Sequence, residues 1–177
     1  VFDSNDVVLA GNIFPLNSSY TKTVWIKLSS YDWRNIMSSI LHGANNHYFK
    51  ADPDGKLNAG HYYGVTGTPT VKDAVALNLG EWYFAAVTFN YSTGEMILYK
   101  NGHEVDRGTV SETYRSVIDS SVLVGSMNYQ WGWAGNIDEP IIYVHELSAE
   151  QIHSLYSAGN NMIMPEETMV LDEWYVD

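Results

Sequence analysis

The chain contains no cysteine, which excludes a disulfide framework, a thiolate zinc site and a cysteine nucleophile. That absence leaves secretion open, because a domain of this size buries a sufficient core without staples. Basic residues are scarce: 9 lysines and arginines face 21 acids, a formal charge of −12. Repulsion therefore removes nucleic acid and anionic lipid from the expected partners. No run reaches the roughly 18 consecutive apolar residues of a spanning helix, so membrane insertion is not expected. The start, Val1-Phe2-Asp3, lacks the basic segment that opens a secretory signal. We read residues 1–177 as a single domain excised from a longer protein, with targeting signals outside it. What is present is a globular composition: 45% hydrophobic, 14% aromatic and 17% charged.

That composition is arranged as short β runs. Residues 21–28 (TKTVWIKL) place Thr23, Trp25 and Lys27 on one face and Val24, Ile26 and Leu28 on the other. Further strands are expected at 36–41, 46–51, 56–61, 82–90, 95–100, 103–107, 122–125, 134–144 and 169–176. Turn chemistry separates several of them: Asp52-Pro53-Asp54-Gly55, Tyr91-Ser92-Thr93-Gly94 and the strong hairpin signal Asn101-Gly102. Around Trp82 both faces are apolar, since Trp82, Phe84 and Ala86 alternate with Tyr83, Ala85 and Val87. Such a strand belongs in the middle of stacked layers. One short helix is expected near 148–158. Ser148-Ala149-Glu150-Gln151 is its capping box, Leu147 and Ile152 its hydrophobic staple, and Gly159 its left-handed stop.

Four motifs in order carry a family resemblance. FDSNDVVL, TKTVWIKL, EWYFAAVTFNYSTGEMILYKNGHEV, and SVLVGSMN followed by AGNIDEPIIYVHELSAEQIHSLYSAG together resemble the laminin-G-like, concanavalin A-like lectin/glucanase jelly-roll superfamily, pentraxins included. The resemblance covers essentially the whole chain and is most distinctive over residues 80–159. It implies an all-β fold, a two-sheet antiparallel β-sandwich jelly roll with one short capped helix on its rim. Pro140 replaces an aliphatic residue usual in the family, which implies a bulge or a sheet edge. The paired-calcium site of pentraxins has lost its carboxylates: Gly43-Ala44-Asn45-Asn46 and Ser126-Met127-Asn128 retain only amides. A single structural calcium, as many jelly rolls carry, is implied instead at Asp3, Asp6 and Asp138, with backbone carbonyls supplying the remaining oxygens.

The candidate ligand site is the loop Asn128-Tyr129-Gln130-Trp131-Gly132-Trp133, which lies between strands. Aromatics at a loop tip offer flat faces to the C–H bonds of pyranose rings, and the amides can meet hydroxyls. Successive residues of an extended loop face opposite ways, so Trp131 and Trp133 should share a side. The family alignment places Asn45, Asn46 and His47 beside it. The competing expectation is that both tryptophans fold back as core.

Catalysis is not expected. Glycosidases need two carboxyls at a set separation, and the strand patterns E-x-D-x-E and E-x-D-x-x-E are both absent. Asp138 and Glu139 are adjacent and so face opposite ways. The six histidines are scattered without the i, i+4 spacing of a helical zinc site. The expected function is a non-catalytic, lectin-like module of an extracellular or cell-surface adhesin or polysaccharide-degrading protein, with glycan as its partner. The alternative is a protein-interaction or spacer domain of a cell-surface or virion protein, in which the aromatics are packed.

Overall fold

The computed structural model describes residues 1–3, 5–40, 46–61, 70–127 and 129–162; the strand expected at 169–176 lies outside them. In chain order the strands are β1 (Val8–Asn12), β2 (Tyr20–Leu28), β3 (Arg34–Asn35), β4 (Met37–Ser38), β5 (His47–Ala51), β6 (Leu57–His61) and β7 (Val71–Lys72). β8 (Trp82–Phe89), β9 (Glu95–Lys100), β10 (His103–Thr109), β11 (Ser121–Val124) and β12 (Gly135–Tyr143) follow, with helices α1 (Glu112–Arg115) and α2 (Ala149–Met162). One layer has five antiparallel strands in the order β10-β9-β8-β2-β12. The other consists of two ladders, β1-β11-β4 and β3-β5-β6-β7. Backbone bonds from Ile36 N to Phe49 O (2.9 Å) and from Ser39 N to His47 O (3.1 Å) carry the pairing of β5 across the bend, so the two ladders continue one another. The chain is therefore the expected two-layer sandwich.

Strand alternation decides which side chains meet between the layers. Val24, Ile26 and Leu28 from β2 and Ala85, Val87 and Phe89 from β8 pack with Ile36, Phe49, Leu57 and Ala59 of the second layer. The opposite face of the five-stranded layer is also apolar. There Trp25, Phe84, Ala86, Ile97 and Tyr99 are covered by Leu147 and Ile152 at the start of α2. This explains why the run around Trp82 is apolar on both sides: one face lies on the core and the other lies under a helix.

Local signals act where they were expected. Asn101 (φ 51°) and Gly102 (φ 75°) form the turn between β9 and β10, both in the left-handed region that a two-residue hairpin requires. At α2, Ser148 N donates to Gln151 Oε1 (2.8 Å) and Gln151 N to Ser148 Oγ (3.3 Å), closing the capping box. Pro140 sits on the edge strand β12, where the register to β2 shifts between Asp138 and Ile141. Two readings change. The opening run does not form one strand: Asp3 N donates to Asp6 Oδ2 and Asn5 N to Asp3 Oδ1 (2.8 Å each), a local turn, and β1 begins only at Val8. The strand expected at 36–41 is instead the bent pair β3 and β4, with the bend at Ile36.

Gly159 also has a different role. It lies inside α2 rather than stopping it, and a Cβ there would come within 2.5 Å of Trp25 Nε1. The helix needs a residue without a side chain in order to lie close on the indole. Gly159→Ala should therefore destabilise by about 1–3 kcal/mol through overpacking, although alanine by itself favours helix by up to about 1 kcal/mol. Urea unfolding of the variant checks this, and a stabilised protein would refute it.

Candidate functional site

The aromatic loop is a tight turn rather than an extended segment. Met127 N donates to Gln130 O (3.1 Å) and Gln130 N to Met127 O (2.8 Å), while Tyr129 (φ 55°) and Trp131 (φ 51°) are both left-handed. Alternation applies to extended backbone, and two left-handed residues break it. Trp131 and Trp133 consequently do not share a side, which corrects the sequence reading. Trp133 is fully buried in the core and donates Nε1–H to Asn136 O at 3.1 Å. Trp131 and Tyr129 stay outside, 40% and 58% exposed.

The neighbouring group is corrected in the same way. Asn46 and His47 are buried, and neither presents itself to a ligand. The His47 ring stacks on Phe14 at 3.7 Å between centroids. Its Nε2 donates to Ser121 O (3.2 Å), which leaves Nδ1 to accept from Lys22 Nζ (2.7 Å). Burial holds the His47 imidazole well below its usual range, and the nearby Lys22 ammonium adds to that. Asn45 and Asn128 lie outside the described residues.

The three carboxylates assigned to calcium do not form one ligand shell. Among the described residues no three Asp, Glu or His side chains converge as metal ligands. Asp3 and Asp6 accept from amides of their own turn. Phe2 is bridged to Gly135, whereas Asp138 lies three residues further along β12, roughly 10 Å away by strand geometry. The Asp138 carboxylate accepts from Glu139 N (2.9 Å). The three carboxylates therefore do not serve as one set of side-chain ligands.

A surface that the sequence reading missed lies around β3. Trp131 O accepts from Asn35 N (3.0 Å) and Asn35 Nδ2 (3.2 Å), and Arg34 Nη1 donates to Gly132 O (2.9 Å). The Trp131 loop is thus clamped onto β3, directly beyond Trp33. Trp33 and Tyr31 are themselves 43% and 48% exposed. Tyr31 is held by a bond from its hydroxyl to Leu77 O (2.9 Å). Its ring lies over Gly55, where a Cβ would come within 2.6 Å of it. The signal was available in the sequence: Tyr31-Asp32-Trp33 puts two aromatics in a loop, as the Trp131 segment does.

Beside Trp33, the outward face of the second layer is polar. Phe49, Ala51, Leu57 and Ala59 point into the core, so Lys50 and Asn58 point outward. Register aligns Asn35, Lys50, Asn58 and Lys72 in one cross-strand row. Lys50 Nζ lies 4.1 Å from the Trp33 ring centroid and 3.2 Å from Asp52 Oδ1. Lys72 Nζ joins Asp52 Oδ2 (2.7 Å) and Asp54 Oδ2 (3.1 Å). Burial lowers the Lys50 ammonium below the usual lysine range, and Asp52 partly offsets this. Asn58 is wholly buried, and neither its amide oxygen nor its amide nitrogen has a hydrogen-bond partner.

Half-exposed indoles held on rigid backbone, next to oriented donors and acceptors, make a surface suited to a ligand with both apolar and hydroxyl-bearing faces. The profile of the concanavalin A-like lectin/glucanases superfamily matches residues 2–153. The chain belongs to that superfamily. No curated protein matches it in sequence. Among solved structures, this superfamily member is similar to a heptameric SAP-like pentraxin from Limulus polyphemus: TM-score 0.62, 17% identity, covering 88% of this chain and 84% of the other. It is also similar to a botulinum neurotoxin type C structure whose cell entry depends on two ganglioside molecules: TM-score 0.59, 16% identity, 80% and 36% coverage. A third is a Bacteroides ovatus protein assigned provisionally to carbohydrate binding: TM-score 0.66, 16% identity, 83% and 43% coverage. The chain thus spans about a third of the toxin chain and under half of the Bacteroides chain. At these identities the likeness is one of fold: a lectin-like sandwich.

Proposed function

We propose that the chain is a non-catalytic carbohydrate-binding module, acting outside the cell or at its surface. The observation that carries this reading is the pair Trp131 and Trp33, both partly exposed and both tied to β3 by backbone geometry. Indole rings are large and rigid, with few torsions to fix, so they stack on sugar rings at little entropic cost. Superfamily membership and the ganglioside and carbohydrate associations of two structural neighbours support it. A non-catalytic role is favoured by Asp52 and Asp54, which share the Lys72 ammonium. Carboxylates in that setting serve as hydrogen-bond acceptors rather than as proton donors to a leaving group.

A single site of this kind binds weakly, with about −4 to −6 kcal/mol, so surface attachment would use several copies. A glycan array followed by calorimetry tests the reading. Trp131→Ala should weaken binding of any glycan captured by at least about tenfold, near 1.4 kcal/mol, without changing the unfolding midpoint. Wild-type affinity in that variant, or an array without any captured glycan, would overturn the proposal.

A further inference from the structure

We infer that the glycan taken by this surface is uncharged, and that its hydroxyls are read by the Lys50–Asp52–Lys72–Asp54 network together with the Asn58 amide. The inference rests on the carbohydrate-binding reading and adds to it a ligand charge class and a polar contact set. Each carboxylate is shared by two ammonium groups, Asp52 by Lys50 (3.2 Å) and Lys72 (2.7 Å) and Asp54 by Lys72 (3.1 Å) and Lys56 (3.8 Å), so positive and negative groups alternate across the surface. A carboxylate or sulfate arriving there would gain the lysines only by facing Asp52 and Asp54 as well. A sugar hydroxyl, both donor and acceptor, can accept from a lysine and donate to an aspartate at once. The ion pairs orient those groups in advance, which lowers the entropy lost on binding.

Asn58 supplies the second, independent observation. It sits in the cross-strand row between Lys50 and Lys72, wholly buried, with both amide atoms unsatisfied. A buried polar group without a partner is costly, and native structures rarely keep one without a reason. An amide offers one acceptor and two donors and no charge, so it matches a diol better than an anion. The flanking Lys50 and Lys72 side chains are 15% and 32% exposed, so the row reaches solvent on either side of it. At longer range the −12 charge of the chain repels a polyanion before contact is made.

The test compares neutral gluco-, manno-, xylo- and galacto-oligosaccharides with oligouronates and sulfated oligosaccharides, by calorimetry at low and high salt. Neutral sugars should bind with an affinity that salt changes by less than about twofold. Trp33→Ala and Asp52→Asn should each weaken that binding at least about tenfold. Asn58→Leu should weaken binding yet leave the urea midpoint equal or higher, because it removes an unsatisfied buried amide. Salt-sensitive binding confined to acidic sugars would overturn the inference. So would wild-type affinity in Asp52→Asn and Asn58→Leu while Trp131→Ala still loses binding, an outcome that leaves the carbohydrate-binding reading standing. If no sugar of either class binds, both fall.

Discussion

Trp133→Ala is expected to lower the unfolding free energy by about 3–5 kcal/mol, whereas Trp131→Ala should change it by less than about 1 kcal/mol. The two residues are the same type, two positions apart, and the difference is one of burial. Trp133 has no exposed surface and belongs to the cluster that joins the two layers. Its backbone N donates to Gly125 O (2.7 Å), which anchors it, and removing the indole also leaves Asn136 O without its partner. Part of the cost is transfer of apolar surface, and part is a cavity that the surrounding strands cannot close. Urea unfolding measures both variants. Equal destabilisation would mean that the left-handed backbone at Tyr129 and Trp131 does not send the two indoles to opposite sides.

Acidification from pH 7 to pH 4 is expected to cost about 3 kcal/mol through His61 alone, with His47 adding to it. His61 Nδ1 donates to Tyr114 O (2.8 Å), so Nε2 accepts from the Tyr20 hydroxyl (3.1 Å) and the ring is neutral. Burial lowers its pKa from 6.5 to about 4, and Lys22 contributes. A folded pKa below the unfolded one means that the folded state binds fewer protons. The stability is therefore complete above about pH 6.5 and is lost as pH falls toward 4. His47 behaves alike, since burial disfavours its charged form and a proton on its Nδ1 would displace the bond it accepts from Lys22 Nζ at 2.7 Å. Lys22 is itself wholly buried, bonded to Met37 O (3.0 Å) and packed against Phe14 and Tyr20. Its pKa is depressed by burial, so it adds stability as pH rises rather than falls. Unfolding free energies measured in steps between pH 4 and 7 should show the slope, and His61→Asn should flatten it. An unchanged slope in that variant would assign the acid loss to His47 and the carboxylates instead.

That buried cluster was partly legible. In TKTVWIKL, Lys22 has the same parity as Val24, Ile26 and Leu28, so alternation alone sends it inward. Its tolerance depends on acceptors from β4 and β5, which no local pattern reveals. Asn45, Asn46 and His47 were assigned to a ligand by their place in an alignment. Strand β5 places His47 in the core instead, because its register partner is the equally buried His61.

Local chemistry by itself determined the strand runs between Trp82 and Arg107, the Asn101-Gly102 turn, the capping box at Ser148, the interruption at Pro140 and the layered class of the fold. Each of these is decided within a few residues, by backbone sterics, missing donors or side-chain parity. Long-range packing alone decided that Trp133 goes inside while Trp131 stays out, that Gly159 is a contact rather than a stop, and that Trp33 meets Lys50. Those outcomes depend on which surfaces distant strands and the helix cover, and covering is a property of the assembled chain.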